Sequence, residues 1–280
     1  MRTFRIAFPL GLFLLTGAPL HAQWNKVPES KIPRGANGKP NLSAPAPRLP
    51  DGQPDLSGIW EPRGGRYTQN LGADLKPGDI PYQPWAKTLA DQRVDGSHEK
   101  EDPTANCLPH GVPRISGSPP PWKIIQTPGL IVILYEAHML WRQIFLDGRE
   151  LSSEFPSAWL GYSTGKWDGD TLVVETRGLN GKAWLDQLGK PTTDALHVTE
   201  RFHRRDAGNM DVQITIDDSK AYTHPWTVTE QVHLLTDTEL LEDICNENNR
   251  DLAHLPGMPS NDKWLLNTER LGVATRFPIR

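Results

Sequence analysis

The chain has 280 residues, 37% of them apolar, which is enough to bury the core of one large domain or two small ones and excludes disorder throughout. Its 26 prolines and 24 glycines exclude a mostly helical protein, and 18 of the prolines fall between Pro28 and Pro128 with only six after. The formal charge is −4 with no Lys/Arg run or basic stripe, so nucleic acid is a poor partner.

Residues 1–22 read as a secretory signal. Arg2 and Arg5 precede an apolar stretch from Ile6 to Leu15, and Gly17, Ala18 and Ala22 follow before Gln23. Removing them takes the charge nearer −6, the −4 less the +2 of the two arginines. That stretch is too short to span a bilayer as a mature helix, and no second run of about 20 apolar residues follows it. The expectation is a secreted or periplasmic protein without a membrane span. Residues 23–54, rich in Pro, Ala, Gly and Asn, read as an extended arm or linker.

A single β domain is expected over residues 55–280, loop-rich over 55–121 and with its β core over 122–250. Asp55 to Trp60 looks like the first strand. Trp85, Leu89, Ala90 and Val94 fall at helical spacing between Pro84 and Gly96. A loop then carries Cys107, Pro109, Gly111, Pro113 and the triple proline Pro119–Pro121, a run whose prolines cannot donate to a sheet ladder. From Trp122 the pattern becomes short β runs with turn signals: Leu130 to Tyr135, Met139 to Leu146, then three hairpins. The first turns at Asp168-Gly169, the second at Asp206 to Asn209, and the third at Thr236-Asp237 between Thr227–Leu235 and Glu239–Cys245. Seven or eight antiparallel strands joined by hairpins predict a meander closed into a barrel, with a β-sandwich as the alternative. Lys263 to Arg280 is a candidate last strand or cap.

In an oxidising compartment the only two cysteines, Cys107 and Cys245, pair more readily than they stay free. Closing so long a loop is worth about 4–5 kcal/mol in the chain-entropy picture.

The strand from Leu196 to Arg204 puts Leu196, Val198 and Phe202 on one face and His197, Thr199, Arg201 and His203 on the other. The polar face either meets solvent or lines a wet pocket. In an enzyme reading His197 is the general acid or base, Asp186 orients it, and Arg201, about 13 Å along the strand, holds a carboxylate or developing oxyanion. A solvated sheet face is the plain alternative. Glu200 lies on the apolar face, where an unpaired carboxylate is costly. It either forms a structural ion pair with Arg142 or Arg177, or is a catalytic carboxylate with a raised pKa. Arg142, Trp184 and the segment Tyr222 to Trp226 are candidate ligand-binding residues, the aromatic ones as a wall for an apolar ligand, though core packing explains those too. No ligand set of metal-binding spacing, phosphate loop or nucleophile elbow stands out, so neither metal nor cofactor is expected.

The string from Gly161 to Thr176 (GYSTGKWDGDTLVVET), with Asp55 to Trp60 upstream and His197 to Phe202 downstream, resembles an uncharacterised family of secreted bacterial proteins, from about Asp51 to Asp251. Gly58-Ile59-Trp60 also resembles the Gly-X-Trp that opens lipocalin-type barrels, where the Trp packs across the barrel base; the proline-rich insertion after Trp60 departs from that pattern. The resemblance favours a barrel over a sandwich. The function expected is action on a small organic molecule by cofactor-free acid–base chemistry, as a lyase, isomerase or hydrolase. A non-catalytic ligand-binding barrel of the cell envelope is the alternative, and an envelope interaction protein that uses the arm is a third reading. The oligomeric state is left open.

Overall fold

Apolar residues at every second position need one dry side, and in this chain the strands roll up until those sides face each other. The computed structural model describes residues 32–151 and 155–247. The predicted signal and the candidate cap at Lys263 to Arg280 lie outside them. Nine strands run in chain order: β1 (Gly58–Pro62), β2 (Trp122–Thr127), β3 (Leu130–Tyr135), β4 (Trp141–Phe145), β5 (Tyr162–Asp168), β6 (Thr171–Arg177), β7 (His197–Arg204), β8 (Asn209–Asp217) and β9 (Trp226–Leu235). Each pairs with the next, and β9 returns to β1 through Ile59–Leu235 and Trp60–Leu234, closing a lipocalin-like barrel. The sandwich alternative is set aside by that closure. Among the described residues three short α-helices, α1 (Arg66–Gln69), α2 (Pro84–Arg93) and α3 (Arg114–Gly117), all lie between β1 and β2.

The hairpins at Asp168-Gly169 and Asp206 to Asn209 form as expected. Two expectations are corrected. β4 and β5 run parallel, paired only through Ile144–Ser163 and Phe145–Thr164, so the barrel is mixed and the chain between them crosses back from one end to the other. Glu239 to Cys245 is not a strand. The free edge of β9 that it would pair with is already taken by β1. The segment instead runs along the barrel, with Lys123 paired to Glu239 at 2.6 Å and the Leu241 amide donating to Glu136. The α2 helix begins at Pro84, but it buries Ala86 and Ala90 while Trp85 and Val94 stay exposed; the Trp85 indole donates to the Lys220 carbonyl.

One end of the barrel, here called the base, carries the β7–β8 hairpin. Trp60 is fully buried there, its Nε1 donating to the Leu56 carbonyl at 2.9 Å. The Arg204 guanidinium lies 4.9 Å from the Trp60 ring centroid and donates to the Asp55 and Ala207 carbonyls. The described part of the arm lies across this base. Leu42 and Ala44 accept from the Gly208 and Ala207 amides, Arg48 grips Asp170 through two hydrogen bonds, and Arg34 reaches Asp237 at 2.7 Å. At the opposite end, here the mouth, Cys107 and Cys245 stand at bonding distance, Cα atoms 5.6 Å apart. They fasten the loop-rich segment over the β core. No helix among the described residues is long and apolar enough to cross a membrane.

Candidate active site

The barrel interior is apolar toward the base, where Phe202, Met210, Val212, Val232 and Leu234 belong to the same buried core as Trp60. Toward the mouth the inward positions of four neighbouring strands turn polar: Arg142 on β4, Ser163 on β5, Thr176 on β6 and Glu200 on β7, every one of them buried. Arg142 Nε donates to Ser163 Oγ at 2.9 Å, and Nη2 donates to Thr176 Oγ1 at 2.6 Å and to Glu200 Oε2 at 2.5 Å. Ser163 Oγ and Thr176 Oγ1 are 3.0 Å apart. Two atoms of this group make no well-aligned hydrogen bond to the protein: Arg142 Nη1, a donor on the guanidinium that the Tyr135 hydroxyl adjoins, and Glu200 Oε1, an acceptor. Burial alone would make the guanidinium less basic; Glu200 and Tyr135 beside it outweigh that and hold it firmly protonated.

A second carboxyl faces the same space. The inward row of β9 reads Trp226, Val228, Glu230, Val232, Leu234, and Glu230 is buried with the rest. Burial, and then the charge of Glu200, push its pKa up to about 8. At neutral pH the barrel therefore holds an arginine paired with one glutamate and a second glutamate that keeps its proton.

The mouth above these groups is plugged by α3, all four residues of which are buried. Gly117 packs so closely on Glu230 that an added Cβ would stand 2.5 Å from its Oε1. Ser116 lies 3.2 Å, Oγ to OH, from Tyr135, and its carbonyl accepts from Trp122 Nε1 at 2.8 Å. The Gly117 carbonyl accepts from Thr68 Oγ1. An ion pair between Arg114 and Asp102, 2.8 Å and buried, anchors the plug on its outer side. Beyond it the His110 and His138 rings meet edge-on with centroids 4.8 Å apart. Burial, with the nearby Arg114 and His138 charges adding to it, lowers the His110 pKa to about 3. Among the described residues no three His, Cys, Asp or Glu side chains converge as a metal site.

The proposed catalytic set from the sequence is dispersed by the fold. Glu200 points inward, while His197 and Arg201, at odd spacing from it on the same strand, point outward. His197 Nε2 stands 3.9 Å from Glu175, and Arg201 pairs with Asp168 at 2.8 Å on the outer surface. A shallow outer concavity of about 240 Å³ includes Arg201 and His203, but His197 is not among its lining residues. Asp186 does not orient His197. It is buried in the β6–β7 connection, taking the Leu71 amide at 2.8 Å and Lys190 Nζ at 2.6 Å. Of the suggested ligand residues, Arg142 joins Glu200, resolving its partner in favour of Arg142 over Arg177. Tyr222 packs as core between Tyr82 and Trp226, its ring centroid 5.4 Å from the first and 5.5 Å from the second. Trp184 is covered by the Arg93 guanidinium at 4.2 Å.

Glu230, Tyr135 and the plug are functional candidates that residue-by-residue reading passed over. Glu230 carries the same signal that drew attention to Glu200, a carboxylate at an inward position of an alternating strand. The chain matches no family model, and no curated protein or solved structure matches it.

Proposed function

We propose that the protein is a secreted or periplasmic enzyme that moves protons on a small organic molecule held in the mouth half of its barrel, without a cofactor. The observation that carries this is the division of labour among three buried groups. Glu200, ion-paired with Arg142, offers an unpartnered oxygen that can take a proton. Arg142 offers an N–H left without a well-aligned acceptor to the oxygen on which negative charge develops. Glu230 holds a proton at neutral pH and can deliver it. In a tautomerisation, Glu200 takes a proton from the substrate and the electron pair shifts to the oxygen held by Arg142. Glu230 then protonates a second atom, and transfer of a proton from Glu200 back to Glu230 restores the starting state. An elimination or hydrolysis would use the same three roles.

The experiment is proton exchange in D₂O, followed by NMR, on small ketones, lactams, lactones and hydroxy acids. The native protein should accelerate exchange at one class of compound. Glu200→Gln and Glu230→Gln should each lower that rate by 10²-fold or more. A native protein that exchanges no compound faster than buffer overturns the enzyme reading. The apolar half of the interior favours a second reading, a non-catalytic binding barrel, which saturable binding without exchange would support.

A further inference from the structure

We infer that the mouth of the barrel receives compact, uncharged molecules carrying a hydrogen-bond acceptor and a hydrogen-bond donor on one edge, as a lactam, a cis-amide, an imide or an undissociated carboxylic acid does. This rests on the reading of Arg142, Glu200 and Glu230 as the working groups, and it names the substrate class they select.

Buried polar atoms are nearly always paired, so an ion pair at 2% and 0% side-chain exposure that leaves one atom of each partner without a well-aligned hydrogen bond is unusual. The open atoms are of opposite kinds. Arg142 Nη1 needs an acceptor, while Glu200 Oε1 needs a donor. The other atoms of the pair are engaged by Ser163, Thr176 and each other, and the Tyr135 hydroxyl beside the guanidinium is shared with Ser116 of the plug, so an incoming acceptor competes with that hydroxyl alone for Nη1. A ligand with acceptors alone would satisfy Nη1 and leave Oε1 dry, a loss of roughly tenfold or more in affinity. An anion would meet the Glu200 carboxylate, and a cation would meet Arg142; the interior charge is already balanced. Neutral molecules with both functions on one edge are what remains.

The plug points the same way. Its backbone at Gly117 lies against the Glu230 carboxyl, so a peptide unit already occupies the space beside the working groups. A ligand enters by displacing α3, and an amide edge is the group that replaces it with least loss.

The test uses three probes of nearly one shape on the full-length protein: 2-pyrrolidinone, with acceptor and donor, and N-methyl-2-pyrrolidinone and γ-butyrolactone, with acceptor only. Ligand-observed NMR should give at least tenfold tighter binding of 2-pyrrolidinone. In Glu200→Gln the side-chain oxygen stays with Arg142 and its NH₂ turns to the ligand, so the preference should vanish or invert. Equal binding of the three probes overturns the inference, as does binding of none, or a lactam preference that Glu200→Gln leaves intact. The comparison in the native protein decides the matter even if the variant does not fold. The exchange assay is independent of it: exchange without a lactam preference sinks the substrate class and keeps the enzyme, whereas a lactam preference without exchange keeps the class and makes the protein a receptor.

Discussion

Glu230 and His110 carry opposite pH signatures, and both can be read in unfolding midpoints. Glu230 is raised from 4.5 to about 8 in the folded protein. Below pH 4.5 it is protonated in both states and costs nothing. As the pH rises from 4.5 the unfolded chain releases a proton that the folded chain retains, so stability falls until about pH 8 and then levels, a total of several kcal/mol at about 1.4 kcal/mol per unit. His110 is lowered from 6.5 to about 3, so its contribution is intact above pH 6.5 and is lost as the pH drops toward 3. Urea midpoints measured from pH 4 to 9 should lose their alkaline decline in Glu230→Gln and part of their acid decline in His110→Gln. The Arg142–Glu200 pair gives a third expectation at this scale. Either single change, Arg142→Met or Glu200→Leu, leaves a buried charge alone and should cost about 3–5 kcal/mol, while the double change should recover most of it. A double mutant as unstable as the sum of the singles would mean that the pair is not what those changes disrupt.

At the scale of elements, the plug is the part to perturb. Gly117→Ala would drive a methyl into Glu230, so it should cost about 1–3 kcal/mol, and Glu230→Ala should relieve that cost in the double mutant. Equal costs in the two backgrounds would place Gly117 away from Glu230 in solution. This scale also separates what was legible in the chain from what was not. The β5–β6 and β7–β8 hairpins were legible because Asp168-Gly169 and Asp206 to Asn209 sit between alternating runs, and local turn chemistry sets their register. Glu200 on an apolar face in need of a cation, Arg142 or Arg177, was legible for the same reason of period two; which of the two was not. The parallel β4–β5 pairing was not legible, since nothing in the turn-rich stretch after Phe145 marks that the chain crosses back before the next strand instead of turning directly into it. The expected third hairpin failed because closure by β1 is decided across the whole chain. His197, Arg201 and Asp186 looked like a set because they are close in sequence and chemically apt; which side of a closed barrel each faces depends on that closure. Glu230 was legible by the rule that found Glu200, and the plug over it was hidden in a proline-rich segment without periodicity.

For the whole molecule, the loop-rich first part is a wrapping held at both ends of a β core. At the base Arg48, Arg34 and the Leu42–Ala44 backbone tie the arm to three turns, and at the mouth the cysteine pair ties residue 107 to residue 245. Replacing both cysteines by Ser should lower stability by about 4–5 kcal/mol if chain entropy governs. Far-ultraviolet circular dichroism of the folded variant should remain that of the barrel, because the strand ladder does not use the bridge. A variant that loses its β signal under native conditions would show that the wrapping holds the barrel shut.

The short parallel seam between β4 and β5 bears on how the barrel comes together. The β4–β5 seam joins nearby stretches of chain but through only two residue pairs, Ile144–Ser163 and Phe145–Thr164, whereas the ladders within β5 to β9 hold six to eight pairs each; the β1–β2 and β9–β1 seams are the ones found across long stretches of chain. Arg142 stands on one side of the first seam and its three partners, Ser163, Thr176 and Glu200, on the other. A seam of two residue pairs thus carries a polar clasp of four side chains, and a strand slipped by one residue would turn Arg142 outward and leave Glu200 alone in the core. The groups assigned to proton transfer do not exist as a set until that clasp shuts. During refolding, recovery of proton-exchange activity should therefore lag behind amide protection of the β5–β9 sheet, and the lag would time the closing of the seam.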